Sequence, residues 1–280
     1  MRIRGELIWL ALAPFLLFGL LFEVLPVVTL FFGSLSAEGG GVGLEAYQRA
    51  FSPTVVAAFG NSVRLALVTA GLGVVLGTFV AQAIVTSRSS RIRNALIALA
   101  DVTTNFGGAP LAFAFILTLG STGIITLLLK GVGISLYPGF RIYSVAGLMI
   151  AYLYFQLPLM ILLVIPALRG LRTEWREAAE NLGAPALKYW QHIGVPILAP
   201  SLLGGFLLLF ANAFGAYATA WTLTGSDINL VTIQVAALIS GEVQFDPAQA
   251  DALAIMALAV MAGSVALYQV LAGRSRRPIQ

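Results

Sequence analysis

Six stretches of this chain are each long and apolar enough to cross a lipid bilayer. A hydrocarbon core of roughly 30 Å needs about 20 mostly apolar residues in a helix. Inside it every backbone polar group must be bonded within the segment, so runs of this length imply helices, not barrel strands. The sequence predicts spans over Leu7–Phe32, Asn61–Val85, Ala95–Leu119, Ile142–Leu168, Ala199–Leu223 and Ala248–Leu271. A further apolar patch, Gly123–Val132, is too short to cross and is expected at the interface or beside the bundle. Apolar residues make up 59% of the chain and charged residues 10%, against about a quarter charged in an ordinary soluble domain. That deficit excludes a soluble globular domain, disorder, a fibrous repeat and a nucleic-acid-binding surface. With no cysteine and a single histidine, a disulfide framework, a thiolate metal site and a histidine-rich metal or proton-relay site are excluded as well. The expected class is all-α, a polytopic membrane helix bundle of about six transmembrane helices.

Orientation follows from the basic residues, which accumulate in cytoplasmic loops. With the N-terminus inside, twelve of the 16 fall in inner loops: Arg2, Arg4, Arg88, Arg91, Arg93, Arg169, Arg172, Arg176, Lys188, Arg274, Arg276 and Arg277. Arg49, Lys130 and Arg141 fall outside, and Arg64 lies near the outer end of the second span. Both termini are therefore expected in the cytoplasm. This asymmetry accounts for the net charge of +4 without an acidic or nucleic-acid partner. Outer loops hold Glu38, Glu45, Asp227, Glu242 and Asp246 and read as mildly acidic. The first span, though preceded by two arginines, exceeds the 7–15 apolar residues of a secretory signal and is expected to be retained. Two parts are expected: residues 1–60, an N-terminal helix with its outer loop, and residues 61–280, a five-helix core.

One inner loop, about 169–197, is too long and too ordered to be a simple connection. Thr173 can cap a helix carrying Glu174 and Glu177 in its first turn, where carboxylates favour the helix dipole. Gly183 suits its C-terminal turn. Pro185 suits the first turn of a second short helix, and Pro196 and Pro200 would redirect the chain into the fifth span. Ala178 and Ala179 are small enough for another protein to approach the backbone, while Glu177 and Glu180 offer carboxylates to arginines at such a contact. The residues alone leave open whether this helix docks a partner or lies at the interface with a solvated charged face.

Glu177-Ala178-Ala179, three residues, Gly183, nine residues, then Ile193, Val195 and Pro196 resemble the EAA loop of permease subunits of binding-protein-dependent ATP-binding-cassette importers of the type I fold. That signature reads E-A-A-x3-G-x9-I-x-[LV]-P, and every fixed position matches. Asn61-Ser62, opening the second span, is similar to a pair common in that family. The resemblance covers about Asn61 to the C-terminus and leans toward the polyamine, ferric iron, thiamine, phosphonate and sulfate subgroup. It implies a bacterial inner-membrane, multi-pass transport subunit forming half of a substrate pore, without cofactor or enzyme activity of its own. The implied partners are a cytoplasmic ATPase dimer, a second permease (a different chain or the same one) and an external substrate-binding protein. Glu177 would pair with a basic residue of the ATPase, Ala178 and Ala179 would allow close packing, and Gly183 would make the turn, with Ile193 and Pro196 completing the motif.

Polar and helix-breaking residues within spans usually face the bundle interior or an aqueous path. Asp101, Asn105, Gly107, Gly108 and Pro110 interrupt the third span; Gln156, Asn212 and Tyr217 stand in the fourth and fifth. These are the candidate translocation-path residues, with Tyr154, Thr219, Gln82 and Glu23 as further candidates. Helix packing through small and hydroxyl residues is the competing explanation. Asp101 is expected near an inner helix end, as a gate or an ion-pair partner of Arg91 or Arg93. No phosphate loop, H-E-x-x-H or Ser/His/Asp set is present, so the chain itself is not expected to bind ATP or act as an enzyme. An ion-gradient-driven secondary transporter is the alternative; it would need coupling carboxylates at mid-membrane and no ordered EAA loop.

Overall fold

A computed structural model describes residues 5–37, 41–241 and 245–275, with side chains over 12–37, 41–241 and 245–270. Arg2, Arg4, Glu38, Glu242, Arg276 and Arg277 lie outside the described residues. The described chain is helical, and six of its segments have the length and hydropathy of membrane spans: Leu12–Gly33, Pro53–Thr86, Gly108–Gly131, Val145–Arg169, Ala186–Gly215 and Pro247–Val270.

The chain divides into two compact units. One comprises residues 1–59 and 231–259. It holds α1 (Gly5–Gly19), α2 (Leu25–Gly33), α3 (Glu45–Ala50), α13 (Val231–Ser240) and the first part of α14 (Pro247–Ser275). A π-helical turn over Leu20–Val24 joins α1 to α2, and the Leu25 N–H bonds to the Leu20 carbonyl just before Pro26. Proline lacks an N–H and its ring crowds the carbonyl four residues back. Widening the preceding turn relieves that crowding without stopping the helix. Two charges expected on the outer side are paired: Arg49 meets Asp246 at 2.8 and 3.3 Å. Asp246 also accepts the Gln249 N–H at 3.0 Å, capping α14.

The second unit, residues 60–230 and 260–280, carries most of α4 (Pro53–Thr86), then α5 (Ser90–Thr104), α6 (Gly108–Leu119) and α7 (Ile124–Gly131). It continues with α8 (Val145–Arg169), α9 (Thr173–Asn181), α10 (Ala186–Tyr189), α11 (Val195–Gly215) and α12 (Tyr217–Thr224). Its centre is α8, on which α5 and α11 pack. The fully buried Met160 of α8 is held close to Gly77 of α4 and Gly205 of α11, where an added Cβ would meet its side chain. Small residues let helices pack through close van der Waals contact, which matters where lipid supplies no hydrophobic drive between helices. The buried Gln156 donates to Thr69 at 3.2 Å, a polar bond from α8 to α4.

Three expectations change. The third span is not one helix over Ala95–Leu119: α5 ends at Thr104, Asn105-Phe106-Gly107 are unwound, and α6 begins at Gly108 with φ +70°. The apolar patch at Gly123–Val132 is α7, which with α6 completes the 24-residue segment Gly108–Gly131 around a turn at Gly120–Gly123. Pro196 and Pro200 do not redirect the chain. Residues 186–215 run helically through a second π turn, Trp190–Gly194, whose Val195 N–H reaches Trp190 directly before Pro196. The fifth span accordingly starts earlier than expected and breaks at Ala216, before α12.

Candidate functional site

Two concave sites of the second unit gather residues singled out from the sequence. The first is formed by the predicted inner loop. α9 begins at Thr173, so this residue is the first helical position rather than the cap; Arg172 occupies the cap position and offers no side-chain bond. At the other end Gly183, with φ +74°, donates to the Glu180 carbonyl at 2.9 Å, and Ala184 donates to Ala179 at 2.9 Å. These two bonds are a Schellman closure, which requires the left-handed conformation that glycine adopts without a Cβ penalty. The turn folds α10 back on α9 and leaves an apolar groove of about 620 Å³ between them. Ala178, Ala179 and Ala184 line it from the α9 side; Tyr189 and Ile193 line it from the other. Leu182 at 86% and Leu187 at 67% exposure flank the turn with uncovered apolar surface.

Each coupling residue named from the sequence lies on this feature. Glu177 and Ala178 are exposed on α9, Ala179 is buried beneath them, Gly183 makes the turn, Ile193 lines the groove and Pro196 follows the π turn. The two glutamates differ. Glu180 is spent on Arg176, 2.8 Å away one turn back, a bond that raises the Arg176 pKa above its ordinary value. Glu177 has no partner among the described residues. The guanidinium of Arg172 lies 5.9 Å from the Trp175 ring centre, within range of a cation–π contact.

The second site lies where two helices break. Both α6 and α12 start after an unwound residue, Gly107 and Ala216 respectively, with no side-chain cap. Around the breaks is a pocket of about 610 Å³, of mixed polar and apolar lining, that gathers Asn105, Gly107, Gly108, Asn212 and Tyr217, five of the eight path candidates. Thr219 donates to the Gly108 carbonyl at 3.3 Å, tying the first turns of α12 and α6 together. Tyr152, deeply buried on α8, donates to the Ala216 carbonyl at 2.7 Å. Irregular backbone at membrane depth persists only where protein or a water-filled cavity satisfies it; here protein side chains, Thr219 and Tyr152, bond the Gly108 and Ala216 carbonyls. The Asn105 amide folds back on the Asp101 carbonyl at 2.9 Å and closes α5.

The other candidates fall elsewhere. Gln156 is the buried α8–α4 bond, and Pro110 is exposed one turn into α6. Asp101 is exposed on α5 and makes no ion pair with Arg91 or Arg93 among the described residues. All three stand on one helix, and at 1.5 Å per residue the arginines are about 12–15 Å up the axis. Tyr154 packs edge-on to Phe106 and Phe115, and Glu23 is exposed on the first span. Sequence reasoning missed Tyr152, an aromatic in an apolar run with nothing to signal that its hydroxyl meets a broken helix. It also missed Gly215-Ala216, where no proline or polar cluster announces the interruption.

The described residues thus combine a multi-span helix bundle, broken helices around a pocket, and a folded helical turn following α8. Comparison with known proteins gives the chain's relatives. No family model matches the chain. It is 26% identical over 255 residues to the probable sulfate transport system permease protein cysT of Helicosporidium sp. subsp. Simulium jonesii, covering 90% of this chain and 89% of that one. It is 27% identical to the thiamine transport system permease protein ThiP of Escherichia coli K12, covering 74% of this chain but 38% of ThiP. It is 30% identical over 168 residues to the molybdenum transport system permease protein ModB of Mycobacterium bovis, covering 59% of this chain and 60% of ModB. The fold matches the crystal structure of a bacterial ABC transporter involved in import of the acidic polysaccharide alginate, with TM-score 0.75, 16% identity and coverage of 98% and 97%. It also matches the inward-facing MetNI methionine ABC transporter, with TM-score 0.52, 14% identity and coverage of 81% and 100%. The chain is thus similar in sequence to permease proteins of sulfate, thiamine and molybdenum transport systems, shares its fold with chains of ABC transporters, and has six segments long and apolar enough to cross a membrane.

Proposed function

We propose that this permease forms half of the pore of an ATP-driven importer and is driven through α9 by a cytoplasmic ATPase dimer. The observation that carries this is the groove lined by Ala178 and Ala179 and closed by the turn at Gly183, with the unpaired Glu177 next in sequence on the same helix. Two alanines leave room for close approach, and the free carboxylate offers a basic partner a charge-assisted bond. ATP-driven closure of the ATPase would move α9, and with it α8 and α11 at its two ends. A second permease chain and an external binding protein would complete the assembly; the alginate ABC transporter of similar fold is described in complex with an alginate pentasaccharide-bound periplasmic protein.

The substrate is a small polar or charged solute of the range that the relatives' names span, sulfate, thiamine and molybdenum. It passes the pocket at the two helix breaks, where Asn105, Asn212, Tyr217 and the uncapped first turns of α6 and α12 supply hydrogen-bonding groups without a fixed charge. Twelve of the 16 basic residues lie on the α9 side by the expected topology, which supports a bacterial inner-membrane location with both termini in the cytoplasm. Residues 1–60 would serve as an added N-terminal part and 61–280 as the permease core.

The chain contains no cysteine, so Ala178→Cys creates a single reactive thiol. In membranes carrying the whole transporter, that thiol should cross-link to the ATPase subunit, and to a different extent with and without ATP. Cross-linking to lipid-facing reagents alone, with no ATPase adduct, would refute the docking reading.

A further inference from the structure

Another recess, of about 300 Å³, is lined by Asn61, Arg64 and the apolar Leu65 and Val68 of α4, by α8 at Val145 and Met149, and by Ile228 and Leu230 of the loop after α12. We propose that it is a binding site for a small solute oxyanion, with Arg64 as the anchoring cation. Arg64 has no hydrogen-bond or ion-pair partner among the described residues, and no acidic residue lines the recess. Guanidinium remains charged at all physiological pH values and presents a planar fork of donors matched to carboxylate and tetrahedral oxyanions. Asn61 donates to the Asn229 carbonyl at 3.1 Å, which fastens the loop carrying Ile228 and Leu230 to the rim. That bond uses one of its two amide hydrogens, leaving a second donor for a ligand.

Arg64 is exposed, so a lipid headgroup is the competing ligand. From Arg64 to the end of α4 at Thr86 the helix rises about 33 Å, close to the thickness of the hydrocarbon core. Arg64 thus stands at one membrane boundary, and its side chain borders a recess walled by protein. The recess lies at the Val145 end of α8, whereas α9 follows the Arg169 end. The two sites are separated by about 36 Å along that helix. The recess therefore opens on the face opposite the coupling groove, where an importer receives its cargo; this assignment to cargo rests on the importer reading. Its volume is at the small end of ligand pockets and admits a sulfate-sized solute together with several waters.

The test is equilibrium binding of sulfate to the full chain in phosphatidylcholine nanodiscs, by calorimetry at constant ionic strength. The wild type should bind saturably, R64Q at least tenfold more weakly and R64K nearer to wild type, with unchanged thermal unfolding in both variants. Absence of saturable binding, or equal binding by R64Q, overturns the proposal. Loss of sulfate binding in nanodiscs containing phosphatidylglycerol, with that lipid retained by wild type and lost by R64Q, also overturns it by assigning the site to a lipid phosphate. The measurement needs neither ATP nor partner chains. Sulfate binding through Arg64 in a chain that fails to engage an ATPase would therefore refute the importer reading and leave the site standing.

Discussion

Two single residues hold the working geometry in place. Gly183 sits at φ +74° with open space where a Cβ would be, so substitution meets no clash and its cost is purely conformational. Left-handed backbone costs an ordinary residue roughly 1–2 kcal/mol. G183A should therefore leave the six-span bundle intact but loosen the α9–α10 turn, and G183N, more tolerant of that conformation, should retain more function. Transport-coupled ATP hydrolysis, measured beside thermal unfolding of the whole complex, separates the two effects. Tyr152 is the second. Y152F keeps the ring but strips the Ala216 carbonyl of its 2.7 Å donor, and an unsatisfied buried acceptor costs about 1–3 kcal/mol. A lower unfolding temperature is expected, and Y152F unfolding like wild type would show that water already serves that carbonyl. Gly183 was legible in the sequence because a glycine after a helical run suits a C-terminal turn, a role that the resemblance to the EAA loop also implies. Tyr152 was not, because the need for its hydroxyl arises only from a break in another helix.

Among the elements, α9 and the paired breaks matter most. The sequence predicts α9 well: clustered acids at its start, alanines on one face, glycine at its end. What spacing does not convey is that Glu180 is held by Arg176, which leaves Glu177 as the carboxylate open to a partner. E177Q should therefore weaken ATPase engagement by several-fold, while E180Q should do little, since an exposed i,i+4 pair contributes about 0.3–0.5 kcal/mol. Co-purification of the ATPase with each variant measures this, and equal losses for both would contradict it. The third span shows the limit of a hydropathy window. Asn105 to Pro110 announce an interruption, but the window merges helices on either side of it, so the boundary was displaced by a whole element. The Ala216 break carries no such signal, and the π turns before Pro26 and Pro196 answer to a proline constraint that reads in sequence as a stop.

At the scale of the whole molecule, the six-span class followed from apolar run length and charge deficit alone, because the bilayer allows so few solutions. Packing within the core did not, since glycines such as Gly77 and Gly205 reveal their role only when Met160 is seen between α4 and α11. G77V should push these helices apart and reduce the yield of folded protein in the membrane, readable by detergent-solution unfolding. Orientation is tested separately by reporter fusions: a C-terminal fusion should report the cytoplasmic side, and one at Lys130 the opposite side.

The most direct measurement for the account as a whole is substrate uptake by the complete transporter in proteoliposomes, with ATP present or absent and with ionophores collapsing every ion gradient. Uptake should require ATP hydrolysis, survive the ionophores and fall sharply in G183A. Uptake that proceeds without ATP and is abolished by the ionophores would contradict the account and identify a gradient-driven carrier.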